Sequence, residues 1–364
     1  MLQEVKPLFK KFRKRIKIVE FRFGNVNQAF YQLTNYIYSK RDKGTLIEED
    51  SRNGKVLRFP EPVTIHYEKP RQRVLFSPHR DANPFFHLYE SLWMLAGSNR
   101  VDQVAYYAKQ MNEYTDEGET LNGAYGYRWR KSKTDQLNVL IEHLKANPQS
   151  RRAVLQMWNV EDDLLKIDTS KDVCCNLSVM FSLREATREE TAHNEDLLDM
   201  TVTNRSNDII WGLLGANYVH FTMLQEYTAN CIGVGVGRYT HFSNNLHLYT
   251  ETNSGWNNNW LKPSYVIDRD PQINLVRDKE TFDREVKEFI EFKNFTTVPK
   301  EWDEPFLTRV AHPAMAAFEY HKKRHYGAAK VTAQSISDPD WRKACVEWLE
   351  RRRVNWEKKN ESDS

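Results

Sequence analysis

The sequence predicts an α/β (α+β) fold, a large mixed sheet flanked by helices, with a C-terminal helical extension. Three observations lead there. Short β-branched or alternating apolar runs recur up to Phe242, and segments with helical apolar spacing lie between them. Beyond Pro299 the composition changes and becomes largely helix-forming and polar.

The elements follow in order. From Asn25 to Arg41, Phe30, Leu33, Tyr36 and Ile37 fall on one helical face, and the pattern stops at Arg41-Asp42-Lys43-Gly44. A loop is expected around Arg52-Asn53-Gly54, then short strands at Val63–His66 and Val74–Phe76. Pro84 opens a strongly apolar helix, Phe85 to Gly97, that carries Glu90. Strands are read at Ala153–Trp158, Leu177–Leu183 and Leu198–Val202, with a charged exposed insert from Arg184 to Glu195. Asn217 to Cys231 reads as a long helix, and Tyr239–Phe242 as a further strand. Ala311–Ser335 and Trp341–Arg353 read as helical, and Glu357–Ser364 as a disordered tail. The chain thus divides into a basic N-terminal extension (1–24), a main domain (25–300) and a helical C-terminal extension (301–364).

Composition narrows the function. The 364 residues suffice for one large domain with appended pieces, and 53 Lys plus Arg nearly balance 50 Asp plus Glu. A net charge of +3 gives no general case for nucleic-acid binding. No apolar run approaches the ~20 residues that span a bilayer. Met1–Lys17 alternates basic and apolar residues, unlike a secretory signal, so a cytoplasmic location is expected. Cys174, Cys175, Cys231 and Cys345 show neither CxxC spacing nor a paired framework, which suits a reducing compartment and implies no metal site.

The chemistry concentrates in Asp172-Val173-Cys174-Cys175-Asn176-Leu177-Ser178, a thiol at the mouth of a strand, followed by Asn204-Arg205-Ser206-Asn207-Asp208. On a strand adjacent cysteines face opposite ways, so one meets a pocket while the other packs. A nearby guanidinium favours the thiolate that covalent catalysis needs. Glu90, set among apolar residues, is expected to be buried with a partner or a raised pKa. Ser150-Arg151-Arg152 and Arg205-Ser206 offer guanidinium forks and hydroxyls suited to a phosphate.

From about Arg52 to Tyr249 the chain resembles the thymidylate synthases and their nucleotide hydroxymethylase relatives. The residues that carry the likeness stand in the family's order. They are Arg52 in Ser51-Arg52-Asn53-Gly54, Glu90 in Tyr89-Glu90-Ser91-Leu92-Trp93, and Tyr125-Gly126-Tyr127-Arg128-Trp129-Arg130. Ser150-Arg151-Arg152 with Trp158-Asn159, Cys175, Arg205 to Asp208, and His247-Leu248-Tyr249 follow. The resemblance implies a thymidylate synthase-like catalytic domain over 25–300. It implies that Cys175 adds to C6 of a pyrimidine nucleoside monophosphate and that C5 takes a one-carbon unit from 5,10-methylenetetrahydrofolate. Glu90 and Tyr125 would move protons. Arg52, Arg151, Arg152, Arg205 and Ser206 would hold phosphate, His247 and Tyr249 the sugar, and Asp208, Met111 and Gly212 would lie on the folate side. The family's homodimer shares its phosphate arginines across the interface, and Arg151 and Arg152 match that pair.

The departures bear on product and base. Met111 stands where the synthases place a tryptophan over the folate methylene, Met180 replaces a glutamine, Asn176 follows the nucleophile in place of histidine, and Cys174 replaces the proline before it. A charged helical extension stands where the family has a short apolar sealing tail. Weaker cover favours capture of the methylene intermediate by water, hence 5-hydroxymethylation over methylation. The base-reading asparagine falls on Asn217 with one inserted residue after Gly212, and on Ala216 without it. An Asn amide pairs with uracil, or flipped with cytosine. The expected substrate is dUMP; the alternatives are a dCMP or CMP hydroxymethylase, a thymidylate synthase, or an inactive nucleotide-binding relative.

Overall fold

The computed structural model describes residues 19–187, 190, 196–251, 271–298 and 300–362. Its strands are β1 (Val19–Phe23), β2 (Ile47–Ser51), β3 (Gly54–Arg58), β4 (Val63–Tyr67), β5 (Val154–Gln156), β6 (Asn176–Glu185), β7 (Asp196–Asn204), β8 (Asn207–Asp208), β9 (Gly235–Ser243) and β10 (Leu246–Tyr249). A six-stranded sheet runs β1-β4-β9-β7-β6-β5, and a four-stranded sheet runs β2-β3-β10-β8. The β1/β4, β7/β9 and β8/β10 pairs are parallel and the rest antiparallel. The sheets are therefore mixed, as expected. The register of β6 on β7 shifts between Asn176 and Ser178, directly after Cys175. Such bulges re-aim side chains beside functional sites.

The helices are α1 (Val26–Asp42), α2 (Pro84–Leu95), α3 (Val101–Ala105), α4 (Tyr125–Arg130), α5 (Gln136–Ala146), α6 (Ala216–Ile232), α7 (Lys279–Glu291), α8 (His312–Lys322), α9 (Tyr326–Gln334) and α10 (Pro339–Ser362). Asn25 caps α1 by accepting the Gln28 N–H, and Asn83 caps α2 by accepting the Phe86 N–H with Pro84 in the first turn. Helix α6 ends on Gly233 at φ +91°, a left-handed turn that any side chain would strain. All 12 residues of α2 are buried, because α6, α7, α8 and α10 all pack against it.

Several expectations change. Val74–Phe76 joins no sheet: the Asn27 side chain of α1 bonds the Val74 carbonyl and the Phe76 N–H, at 2.9 and 2.8 Å, where a neighbouring strand would. The loop at Arg52 is the tip of the β2/β3 hairpin. The strand expected over Ala153–Trp158 shortens to β5. The Ala311–Ser335 stretch breaks into α8 and α9 at Arg324, which sits at φ +62°. Helix α10 continues to Ser362, through most of the expected tail. β1 lies inside the stretch assigned to the basic extension; residues 1–18 and most of the insert before Glu195 lie outside the described residues.

Candidate active site

A cavity of about 750 Å³ opens between α2, the Met111 and Tyr125 segments, the cysteine loop and the start of α6. Cys175, Glu90, Tyr125, Met111, Gly212, Ala216 and Asn217 line it, so the expected catalytic groups converge from stretches far apart in sequence.

The thiol is placed by the backbone on either side of it. Arg205 Nε donates to the Cys174 carbonyl and its Nη2 to the Val173 carbonyl, both at 2.9 Å, while the guanidinium lies 5.7 Å from the Trp158 ring centroid. The Cys174 N–H donates to Asp163 Oδ1 at 3.0 Å, and the Cys174 side chain is buried in the core. The two cysteines do divide into one that packs and one on the cavity. The expected lowering of the thiol pKa is corrected: burial pushes Cys175 up, and the opposing Arg205 charge does not overcome it. Beside it Asp172 accepts the Gly123 N–H at 2.7 Å, and burial pushes its carboxyl up to about 6.

Glu90 is buried and finds a partner the sequence did not suggest. His220, from α6, brings Nε2 within 2.8 Å of Glu90 Oε2. Both atoms, and His220 Nδ1, make no hydrogen bond of acceptable geometry. His87, one turn before Glu90 on α2, also lines the cavity; burial, then the Arg80 and His220 charges, push its pKa well below the usual range. Tyr125 begins α4, and burial pushes its phenol well above the usual range. Gly126 allows that helix to touch α2: a Cβ there would sit 2.0 Å from the Met94 carbonyl oxygen.

Asn217 and Ala216 both line the wall. Asn217 Nδ2 donates to Asn207 Oδ1 at 3.2 Å; Asn207 Nδ2 meets His241 Nε2 at 3.0 Å, and His241 Nδ1 meets the Tyr239 hydroxyl at 2.8 Å. Burial pushes His241 down to about 3, so the ring is neutral. This buried chain fixes the amide of Asn217. Asp208 stands behind the wall, where it caps the π-helical turn Ile209–Leu213 by accepting the Trp211 N–H; burial pushes its carboxyl up to about 6.

Other expected residues lie off the cavity. Arg52 donates to the Ser170 and Lys171 carbonyls, both at 3.0 Å, tying the hairpin to the strand of chain that leads to Cys175. His247 lies opposite Asp208 in the sheet, bonds Asn245 at 3.0 Å and meets Tyr249 edge-to-face at 5.4 Å. Ser206 lies between β7 and β8 and lines no part of the cavity. Arg151 and Arg152 are exposed and line a separate shallow hollow with His143 and Ser150.

The sequence reading missed Arg80, His220, Trp348 and Arg352, all on the wall, and gave no role to Asp172, which opens the cysteine stretch it singled out and lines the wall with them. Arg80 donates to the Ile210 carbonyl at 3.0 Å and lies 4.1 Å from the Trp211 ring centroid. Trp348 and Arg352 come from α10, which is pinned by Arg351 and Arg352 to Asp81 at 2.9 and 2.6 Å. Phe86, Met111, Trp211 and Trp348 with these guanidiniums suit a flat aromatic ligand that bears carboxylates. That donor set fits a folate.

The thymidylate synthase family model matches residues 44–301. A deoxyuridylate hydroxymethyltransferase of Pseudomonas phage M6 is 41% identical over 364 residues, covering 94% of this chain and 96% of the relative. Proteins of the same name from Bacillus phage SP01 and Delftia phage PhiW-14 are 37% and 28% identical, over 54% and 62% of this chain and 52% and 62% of the relatives. With the site built as described, the chain belongs to the thymidylate synthase family.

Proposed function

We propose that the protein transfers a one-carbon unit from 5,10-methylenetetrahydrofolate to C5 of 2′-deoxyuridine 5′-monophosphate and releases the 5-hydroxymethyl nucleotide. The observation that carries this reading is the meeting of Cys175, Glu90, Tyr125 and Asn217 on one cavity wall. The names of the phage relatives support the same product.

Cys175 forms the bond to C6, which turns C5 into a carbon nucleophile. Because burial opposes its ionisation, the thiolate depends on cations and on the incoming ring. Arg205 supplies one cation from within the chain, and Arg151 and Arg152, exposed away from their own cavity, serve the phosphate of a second copy in a homodimer. Tyr125 keeps its proton near neutral pH and works as a hydrogen-bonding relay for the C5 proton, not as a phenolate base. Asn217 reads the base, and Gly212 with the Asp208 turn shapes the floor of the folate side; Arg52, Ser206, His247 and Tyr249, off the cavity wall, take the phosphate and sugar on the family resemblance alone. When bound, the folate would supply the carbon. Met111 and the aromatic side chains of the outer wall hold its rings.

The test is mass analysis of the product after incubation with methylenetetrahydrofolate and dUMP, dCMP or CMP, with dihydrofolate followed by absorbance. The expected product is 5-hydroxymethyl-dUMP without dihydrofolate. One dihydrofolate per methylated nucleotide would overturn the hydroxymethylase reading.

A further inference from the structure

The hydroxymethyl product needs a water activated at the reacting carbon, and the cavity wall carries one group that no step above uses. His220 is buried on α6 and lines the cavity. Both of its ring nitrogens lack a hydrogen-bond partner, and so does Glu90 Oε2, 2.8 Å from His220 Nε2. Leaving such groups unpaired in the interior is costly, so buried polar atoms without partners call for a ligand. The two side chains stand as a close pair whose contact does not satisfy either as a hydrogen bond. A third polar atom in the cavity can bond to both.

We propose that His220 and Glu90 together bind the water that captures the one-carbon unit, and that His220 thereby decides the product. The proposal rests on the hydroxymethylase reading above. In the capture step the water oxygen bonds to the exocyclic methylene carbon on C5, and the water proton passes to the Glu90–His220 pair. The C5–methylene π electrons move onto C5–C4–O4 as an enolate. Collapse of the enolate re-forms the C5–C6 double bond and breaks the bond from C6 to Cys175 Sγ, which leaves as thiolate. Nothing is oxidised or reduced, and the only co-reactant is water. The imidazole suits this role because one nitrogen donates and the other accepts when the ring is neutral.

The experiment uses competition for the electrophilic methylene. Full-length enzyme, dUMP and methylenetetrahydrofolate are incubated with a fixed concentration of 2-mercaptoethanol, a thiol nucleophile that captures the same carbon as a 5-thioether. Wild type, His220→Ala and His220→Gln are compared by the ratio of hydroxymethyl to thioether nucleotide. We expect this ratio to fall at least tenfold in His220→Ala and less in His220→Gln, whose amide still binds water, and added imidazole to restore part of it in the Ala variant. A merely structural histidine lowers both products together. An unchanged ratio overturns the proposal, while a wild-type enzyme that makes no hydroxymethyl product overturns the underlying reading instead. Crystals of the dUMP complex give a readout independent of turnover: a water within hydrogen-bonding reach of both Glu90 and His220 is expected, lost in His220→Ala. A dry contact between the two side chains counts against the proposal.

Discussion

Gly126→Ala tests how the site is held together. The new Cβ would sit 2.0 Å from Met94 O, 2.3 Å from Met94 Cα and 2.5 Å from Met94 C, all backbone atoms that no rotamer change can move. Non-bonded heavy atoms rest about 3.5 Å apart, so α4 must retreat from α2 by on the order of 1 Å. Tyr125 is the residue just before Gly126 on α4, and Glu90 is one turn from Met94 on α2. The substitution therefore separates the phenol from the carboxylate while removing no functional group. Overpacking of this kind costs about 1–3 kcal/mol of stability, and a misplacement of ~1 Å costs roughly a hundredfold in turnover. The assay is kcat and KM for dUMP alongside urea unfolding. We expect kcat to fall by about two orders of magnitude, more steeply than KM changes. Gly126→Ala with kcat within threefold of wild type and an unshifted unfolding midpoint would falsify the reasoning, since the α2/α4 contact would then not set the distance.

Cys175→Ser should abolish turnover and Cys174→Ser should not, because only Cys175 reaches the cavity; product formation under saturating folate distinguishes them, and full activity in Cys175→Ala ends the covalent reading. Mixed Arg151→Ala and Cys175→Ala subunits should regain part of the activity, since a hybrid dimer assembles one intact site; no recovery after verified subunit exchange places the phosphate site within one chain. Asn207→Ala should remove the bond that orients Asn217 and lower the dUMP over dCMP preference in kcat/KM about tenfold, the equivalent of ~1.4 kcal/mol. An equal loss for both nucleotides argues that Asn207 does not set the amide.

How far the sequence spoke for the structure differs by residue. Cys175, Glu90 and Tyr125 were legible because each sits in a run whose residue types make chemical sense together. His220 was not, since a histidine among Tyr218, Val219 and Phe221 looks like part of a buried face, and its meaning depends on α2 lying opposite. Its place one turn after Asn217 was the available signal. Val74–Phe76 looked like a strand on its β-branched and apolar character, but a side-chain amide from α1 took the partner's place. Trp348 and Arg352 are visible as an amphipathic pattern, yet which surface that pattern covers is a matter of long-range packing. The thiol pKa went the other way because burial, invisible in a local motif, outweighed a neighbouring charge.

Helix α10 gives the cavity a wall that is packed as part of the core. Trp348 packs edge-on against Phe85 at 5.5 Å, and the double ion pair to Asp81 ties the same helix to the turn before α2. Moving that wall would break both the ring packing and the ion pairs that hold it. The shape of the opening beside Trp348 and Arg352 is thereby set by how α10 packs on α2. The orientation of Glu90 is likewise inherited from distant sequence, because the outer face of its helix exists only as an interface.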